Sequence, residues 1–279
     1  MLPILFSIGP IKIYTFGVFL VLAFFWGFFF LWKNIRLTAY KEEEVFDITF
    51  ISLAIGIFFS RIFYVILNFS DFGFNPLKFI LINGYPGLSL YGFIFGFLLA
   101  CFTICYLKRI DFFSLVDYFA SPAFLALGFG KIGAFFSGVE IGTKTNFFLS
   151  LKYFGFDGTR HLTAFYEALL FFLGFYLCWK LLFEVRKEQL FHGFLLPFFI
   201  WYFSLVYFLF DKIKENHLYF KTKSFNYSLS LILLLTTSLY FIYYFKNTIN
   251  KYVKILIQTI YFKARETFER TRRKDKKAN

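Results

Sequence analysis

The chain has 279 residues, of which 59% are apolar, 26% aromatic and only 17% charged, too little polar surface to cover a water-soluble globule of this length. A soluble enzyme and a disordered chain are excluded, and the formal net charge of +13 must be placed at the edges of a membrane protein. With no Walker loop, no glycine-rich dinucleotide motif, no internal repeat and no Cys/His spacing suited to zinc, the expectation is a chain that uses no cofactor and no metal.

Residues 13–32 carry no charged side chain. At about 1.5 Å rise per residue, about twenty residues cross the ~30 Å hydrocarbon core, so this run predicts a spanning helix. Only Lys12 precedes it and no small-residue cleavage site follows, so the helix is expected to be retained rather than removed as a signal peptide. Apolar segments at 47–67, 86–107, 112–136, 164–182, 191–211 and 226–245 predict the remaining spans. The fold expected is an all-α integral membrane protein of about seven transmembrane helices.

The abundant Phe reads as solvent matching, since lipid-facing positions accept any large apolar residue. Cys101, Cys105 and Cys178 fall inside spans without a CxxC pattern and read as core residues. Links 33–46, 108–111 and 180–190 hold eight Lys and Arg, and the tail from Lys246 holds eleven. The other side (Lys12, Lys78 and the loops 137–163 and 212–225) holds nine. Because Lys and Arg of short loops collect in the cytoplasm, the N-terminus is expected outside and the C-terminus in the cytoplasm. A membrane domain, 1–245, is then followed by a basic cytoplasmic tail, 246–279. The tail reads as an electrostatic anchor on anionic lipid rather than as a nucleic-acid contact, and no nucleic-acid partner is expected.

Two basic residues, Arg61 and Lys131, are left over inside spans. A cation at the bilayer centre costs from ~2.5 to over 10 kcal/mol depending on the method, so such a residue faces a polar partner or cavity. One reading is an internal salt bridge to Asp117, Glu140 or Glu167. The other is an anionic ligand, for which phospholipid phosphate is the abundant choice in a membrane. Lys131 lies among glycines at 128, 130, 133, 138 and 142, which permit close approach either of another helix or of a head group. The loop after it ends in Arg160-His161 and Tyr166-Glu167, and Tyr91 stands beside Gly92 in the third span.

These motifs, in this order, resemble the prolipoprotein diacylglyceryl transferases of bacteria. The pieces are Phe6 to Pro10 with Ile13 to Gly17; Ser60 to Tyr64; Gly87 to Gly92; Leu115 to Asp117; Gly130 to Gly133 continuing to Gly142; Arg160-His161 with Tyr166-Glu167; and His192 before the sixth span. The resemblance runs from Phe6 to about residue 245. It implies a multi-pass enzyme of the bacterial cytoplasmic (inner) membrane that moves a diacylglyceryl group from phosphatidylglycerol to the lipobox cysteine of a prolipoprotein signal peptide, releasing glycerol phosphate. That chemistry needs a cation for the phosphate and help in forming a thiolate, because a free Cys with a pKa of about 8.5 is mostly protonated near neutral pH.

By this resemblance Lys131 stands at the family's phosphatidylglycerol-binding arginine. The expected phosphatidylglycerol site is Lys131, Arg61, Gly133, Gly138, Glu140 and Gly142, and the expected proton-transfer groups are Tyr91, His161 and Glu167. The chain departs from the family pattern in several places. Lys131 supplies a point charge where arginine supplies a planar fork. Phe16 replaces a tyrosine, Ala134 an asparagine, Ala164 a glutamine, Val139 a glutamate and Val206 a further arginine. Glu140 lies one residue beyond the glutamate position, and on a continuing helix it would point elsewhere. The alternatives to an active transferase are a homologue with impaired or altered catalysis that binds phospholipid, and an unrelated seven-span transporter.

Overall fold

The structure, a computed structural model, describes residues 2–246 except 10, 83, 154, 216, 221 and 222. All of the expected basic tail except Lys246 lies outside the described residues. The described residues up to Leu234 belong to one compact unit, and those from Leu235, where the last span runs on to Tyr244, to a second.

The chain opens with an antiparallel hairpin, Ile4–Ile8 (β1) and Ile11–Tyr14 (β2). The helices Thr15–Ile35 (α1), Glu42–Leu67 (α2), Phe69–Phe72 (α3), Pro76–Ile80 (α4), Leu90–Lys108 (α5) and Phe112–Ser137 (α6) come next. A second hairpin, Ser150–Lys152 (β3) and Thr159–His161 (β4), leads into Thr163–Arg186 (α7) and Leu195–Phe210 (α8). After a 3-10 turn at Asp211–Ile213, a short hairpin, Tyr219–Phe220 (β5) and Lys223–Ser224 (β6), precedes Phe225–Tyr244 (α9). Seven of these helices are long and apolar enough to cross a membrane, as expected. The small hairpins are not anticipated by the sequence, because strands of two to five residues are too short to show an alternating pattern.

Three boundaries differ from the sequence expectation for local reasons. The second span starts at Glu42 rather than 47, with Glu42, Glu43 and Glu44 in its first turn, where carboxylates complement the positive end of the helix dipole. The third starts at Leu90 rather than 86: Gly87 holds φ +147°, and the Ser89 hydroxyl caps the helix by accepting from Gly92 N at 3.3 Å. The sixth starts at Leu195 rather than 191. There the Asp117 carboxylate of α6 accepts from Gly193 N at 2.6 Å and Leu195 N at 2.8 Å, satisfying N–H groups that the helix itself cannot. Asp117, expected as a partner for a buried cation, serves the backbone instead.

Helix α6 packs against α1, α7 and α8. Close approach rests on small residues: a Cβ on Gly133 would meet Phe19 Cβ of α1 at 2.5 Å, and one on Gly128 would meet the Phe172 ring of α7 at 2.7 Å. In a bilayer, such small contacts let helices gain van der Waals packing that lipid would otherwise supply. The β1–β2 hairpin is seated at the end of α6, where Leu2 N donates to Phe136 O at 2.9 Å. Cys101, Cys105 and Cys178 are free and fully buried.

Candidate active site

The site grows from the way α6 ends. Gly138 takes a left-handed conformation (φ 74°), and its N–H and that of Val139 both bond to Ala134 O, a C-terminal cap that glycine adopts without a Cβ clash. The helix therefore stops before residues 139 and 140, and helical register no longer decides their direction. Val139 is left exposed, while Glu140 folds back over the helix end, its carboxylate 2.5 and 2.7 Å from Lys131 Nζ. A glutamate shifted by one residue thus still reaches the cation.

The strip 141–143 is held by main-chain bonds. Glu215 N donates to Ile141 O (2.9 Å) and Thr143 N to Ile213 O (2.8 Å), while His161 N donates to Thr143 O (3.1 Å). Gly142 sits so tightly against β4 that a Cβ there would lie 2.3 Å from His161 O. Arg160 stitches the same place: its guanidinium donates to Gly142 O at 3.1 Å and pairs with the Glu215 carboxylate. This ladder brings in Lys214, whose Nζ lies 2.6 Å from Glu167 Oε1 and 3.5 Å from Glu140 Oε2. Glu167 Oε2 is 2.7 Å from Lys131 Nζ.

Four charges of alternating sign, Lys131, Glu140, Lys214 and Glu167, therefore close a box. Both ammoniums lie close to the Tyr207 ring, 5.3 and 4.6 Å from its centroid, a favourable cation–π placement. Lys131 and Lys214 are each 6% exposed and Glu167 is fully buried. Charges this deep are tolerated only when each finds its counter-charge. Outside the spans, burial opposes ionisation of Glu140, but Lys131 and Lys214 more than offset it and hold its carboxyl at about 2. Burial likewise opposes the charge on Lys214, and Glu140 and Glu167 overcome it and raise its pKa above the ordinary lysine value. Beside the box lies a cavity of about 210 Å³ lined by Glu140, Lys214, Tyr207 and Asn226 with apolar walls that include Leu88 and Leu90.

Of the expected site residues, the structure brings Lys131, Glu140 and Glu167 together, and Lys131 stands in an internal salt bridge with both carboxylates. Tyr91 lies one ring away, packed on Tyr207 and Phe203 at 5.7 and 5.4 Å, with its buried hydroxyl in no hydrogen bond of good geometry among the described residues. His161 lies on β4 beside Tyr166 and Phe147, its Nδ1 likewise without a hydrogen bond among the described residues. Gly133, Gly138 and Gly142 act through packing and backbone direction. Arg61 is used elsewhere: its three nitrogens donate to Phe79 O, Gly87 O and Lys78 O at 2.8–2.9 Å, and Tyr64 and Phe72 lie against the guanidinium. Lys214 is the residue that sequence reasoning missed. By position it counts among the loop charges, although fully buried Val206, at the place of an expected arginine, already signals that a second cation has to come from nearby.

Seven helices long and apolar enough to cross a membrane, with a buried charge box beside a cavity, define a multi-pass membrane protein with an internal ionic site. A profile of the prolipoprotein diacylglyceryl transferase family matches residues 3–244, a stretch that contains every residue of the box. Among curated relatives named phosphatidylglycerol–prolipoprotein diacylglyceryl transferase, one from Finegoldia magna is 27% identical over 215 residues, 77% of this chain and 84% of the relative. One from Clostridium tetani is 28% identical over 64% of this chain and 74% of the relative, and one from Rickettsia bellii 29% identical over 67% and 72%. The chain belongs to the prolipoprotein diacylglyceryl transferase family. It is accordingly a membrane transferase of lipoprotein biosynthesis.

Proposed function

We propose that the charge box is where phosphatidylglycerol binds, and that the chain transfers the diacylglyceryl group from it to the lipobox cysteine thiol of a prolipoprotein signal peptide in the bacterial cytoplasmic membrane. The observation that supports this reading is the pair of buried ammoniums held by shared carboxylates, Lys214 at the wall of a cavity and Lys131 joined to it through Glu140 and Glu167. They hold the phosphate and stabilise the charge that develops on the leaving glycerol phosphate, a contribution that is often the largest in such sites. Glu140 and Glu167 fix where the ammoniums stand before the lipid arrives. Arg61 contributes indirectly, by fixing the loop that carries Leu88 to the cavity wall.

The thiol proton is assigned to His161. Its ring is partly exposed and its buried Nδ1 has no hydrogen-bond partner among the described residues, whereas Glu167 is fully enclosed and engaged with both ammoniums. Histidine is also the side chain whose ordinary pKa suits proton exchange near neutrality. Tyr91 closes the inner side of the site through Tyr207. The N-terminus faces outward in this reading, residues 1–245 form the membrane domain, and the basic tail rests on anionic lipid without a nucleic-acid partner.

Lipidation of a lipobox peptide in phosphatidylglycerol membranes tests the assignment. A thioether-linked product is expected from the parent chain, and a loss of about 100-fold or more in Lys131→Ala. Equal activity of that variant and the parent would remove the box from the reaction.

A further inference from the structure

The wall of the cavity beside the box includes four polar side chains, Glu140, Lys214, Tyr207 and Asn226. Glu140 and Lys214 are paired within the box, and the Tyr207 ring lies against both ammoniums. Asn226 is uncommitted. It is half-buried in the first turn of α9, its main-chain oxygen accepts from the Ser230 hydroxyl at 2.7 Å, and its carboxamide makes no hydrogen bond among the described residues. An amide at the start of an apolar span is costly to leave without a partner. Its place relative to Lys214 is set by one residue. Asp211 O accepts from Lys214 N at 3.1 Å, while the Asp211 carboxylate accepts from the Ser224 hydroxyl at 2.6 Å, and that hydroxyl oxygen accepts from Tyr227 N at 3.3 Å. The turn that carries Lys214 and the turn that carries Asn226 are thereby joined. An ammonium and an amide stand on one cavity wall in a fixed relation before any lipid arrives, the condition for selective recognition.

The two groups read different chemistry. An ammonium only donates and carries charge, which suits a phosphate; a carboxamide is neutral and both donates and accepts, which suits a hydroxyl. Beyond its phosphate, the head group of phosphatidylglycerol carries two adjacent hydroxyls and no charge. We propose that Asn226 is a specificity-determining residue of the transfer, its carboxamide bonding the glycerol hydroxyls of phosphatidylglycerol while Lys214 holds the phosphate. The proposal rests on the reading of the box as the phosphate site. An acidic or basic residue at this place would leave a charge uncompensated beside a box that is neutral as it stands; the amide adds selectivity without adding charge. A head group without hydroxyls leaves the amide unpaired, and a site built to bond a substrate hydroxyl strongly rejects an analogue that lacks it.

The test uses the full chain with a lipobox peptide and phosphatidylcholine vesicles that carry either phosphatidylglycerol or phosphatidyl-1-propanol, which keeps the phosphate and lacks both hydroxyls. The two lipids share acyl chains that differ in mass from those of the phosphatidylcholine, so the product mass identifies the donor, and kcat/KM is compared as a ratio between them. The parent is expected to favour phosphatidylglycerol by about tenfold or more. In Asn226→Leu, of similar size, the ratio is expected to fall towards one, mainly through a higher KM for phosphatidylglycerol, and Asn226→Ala should do the same. A ratio within one preparation cancels any loss of folded protein. Equal use of both lipids by the parent, or a ratio unmoved in both variants, would overturn the proposal; the second result would mean that the amide meets only water. No transfer by the parent from either lipid would instead overturn the reading of the box on which it stands.

Discussion

Arg61 and Lys131 make an instructive pair. Both are cations inside apolar helices, and both are buried, 3% and 6% exposed. Yet Arg61 spends its planar fork on three main-chain carbonyls, two in α4 and one at Gly87, whereas Lys131 meets two carboxylates, one of which, Glu140, lines a cavity. A guanidinium presents five donors in fixed directions and suits a set of carbonyls; an ammonium is a compact charge and suits exchange of one anion for another. Burial alone therefore does not mark a functional cation. What marks it is whether its partners can be replaced by a ligand.

The largest effect that would sharpen this contrast is expected at Lys214. Replacing it by Ala leaves Glu140 and Glu167 sharing one ammonium, and kcat/KM for lipid transfer should fall by about 100-fold, with Lys214→Arg recovering part of the loss. A variant within a few-fold of the parent would break the contrast. Arg61→Ala should act on the other axis: loss of charge-assisted bonds to buried carbonyls lowers stability by roughly 2–4 kcal/mol, seen as a lower thermal midpoint in detergent. An unshifted midpoint together with a collapse of activity would return Arg61 to the phosphate.

The smallest effect is in pH. Glu140 has a folded pKa of about 2, below its ordinary value near 4.3, so its contribution is complete above the ordinary value and fades as pH falls towards 2. Lys214 is raised, so its contribution is complete below about 10.4 and fades as pH rises past that. The thermal midpoint should be level between about pH 5 and 10 and decline on either side. A midpoint that holds constant down to pH 3 would show that the box adds nothing to folding.

Much of this is legible in the residue string. Hydropathy is summed over long windows, so all seven spans emerge within a few residues of their positions. Lys131, Glu140 and Glu167 can be named because charges in a bilayer must meet one another. What stays hidden depends on the third dimension. Lys214 sits just after a span, where a basic residue is ordinary, and only the pairing of 213–215 with 141–143 turns it inward. The carbonyls that bind Arg61 carry no letter of their own, since every residue has one. The direction of Glu140 is misread when helical register is extended past Gly138, where the helix has already stopped.

Asp117 carries a consequence for how the chain is made. The N-terminal end of α8 has no acceptor of its own for Gly193 N and Leu195 N; both are met by a carboxylate two spans earlier in the order of synthesis. In hydrocarbon, backbone donors without partners are heavily penalised. The start of the sixth span is thus tied to the fourth, and removing the Asp117 carboxylate would leave two main-chain donors to find another acceptor at the membrane.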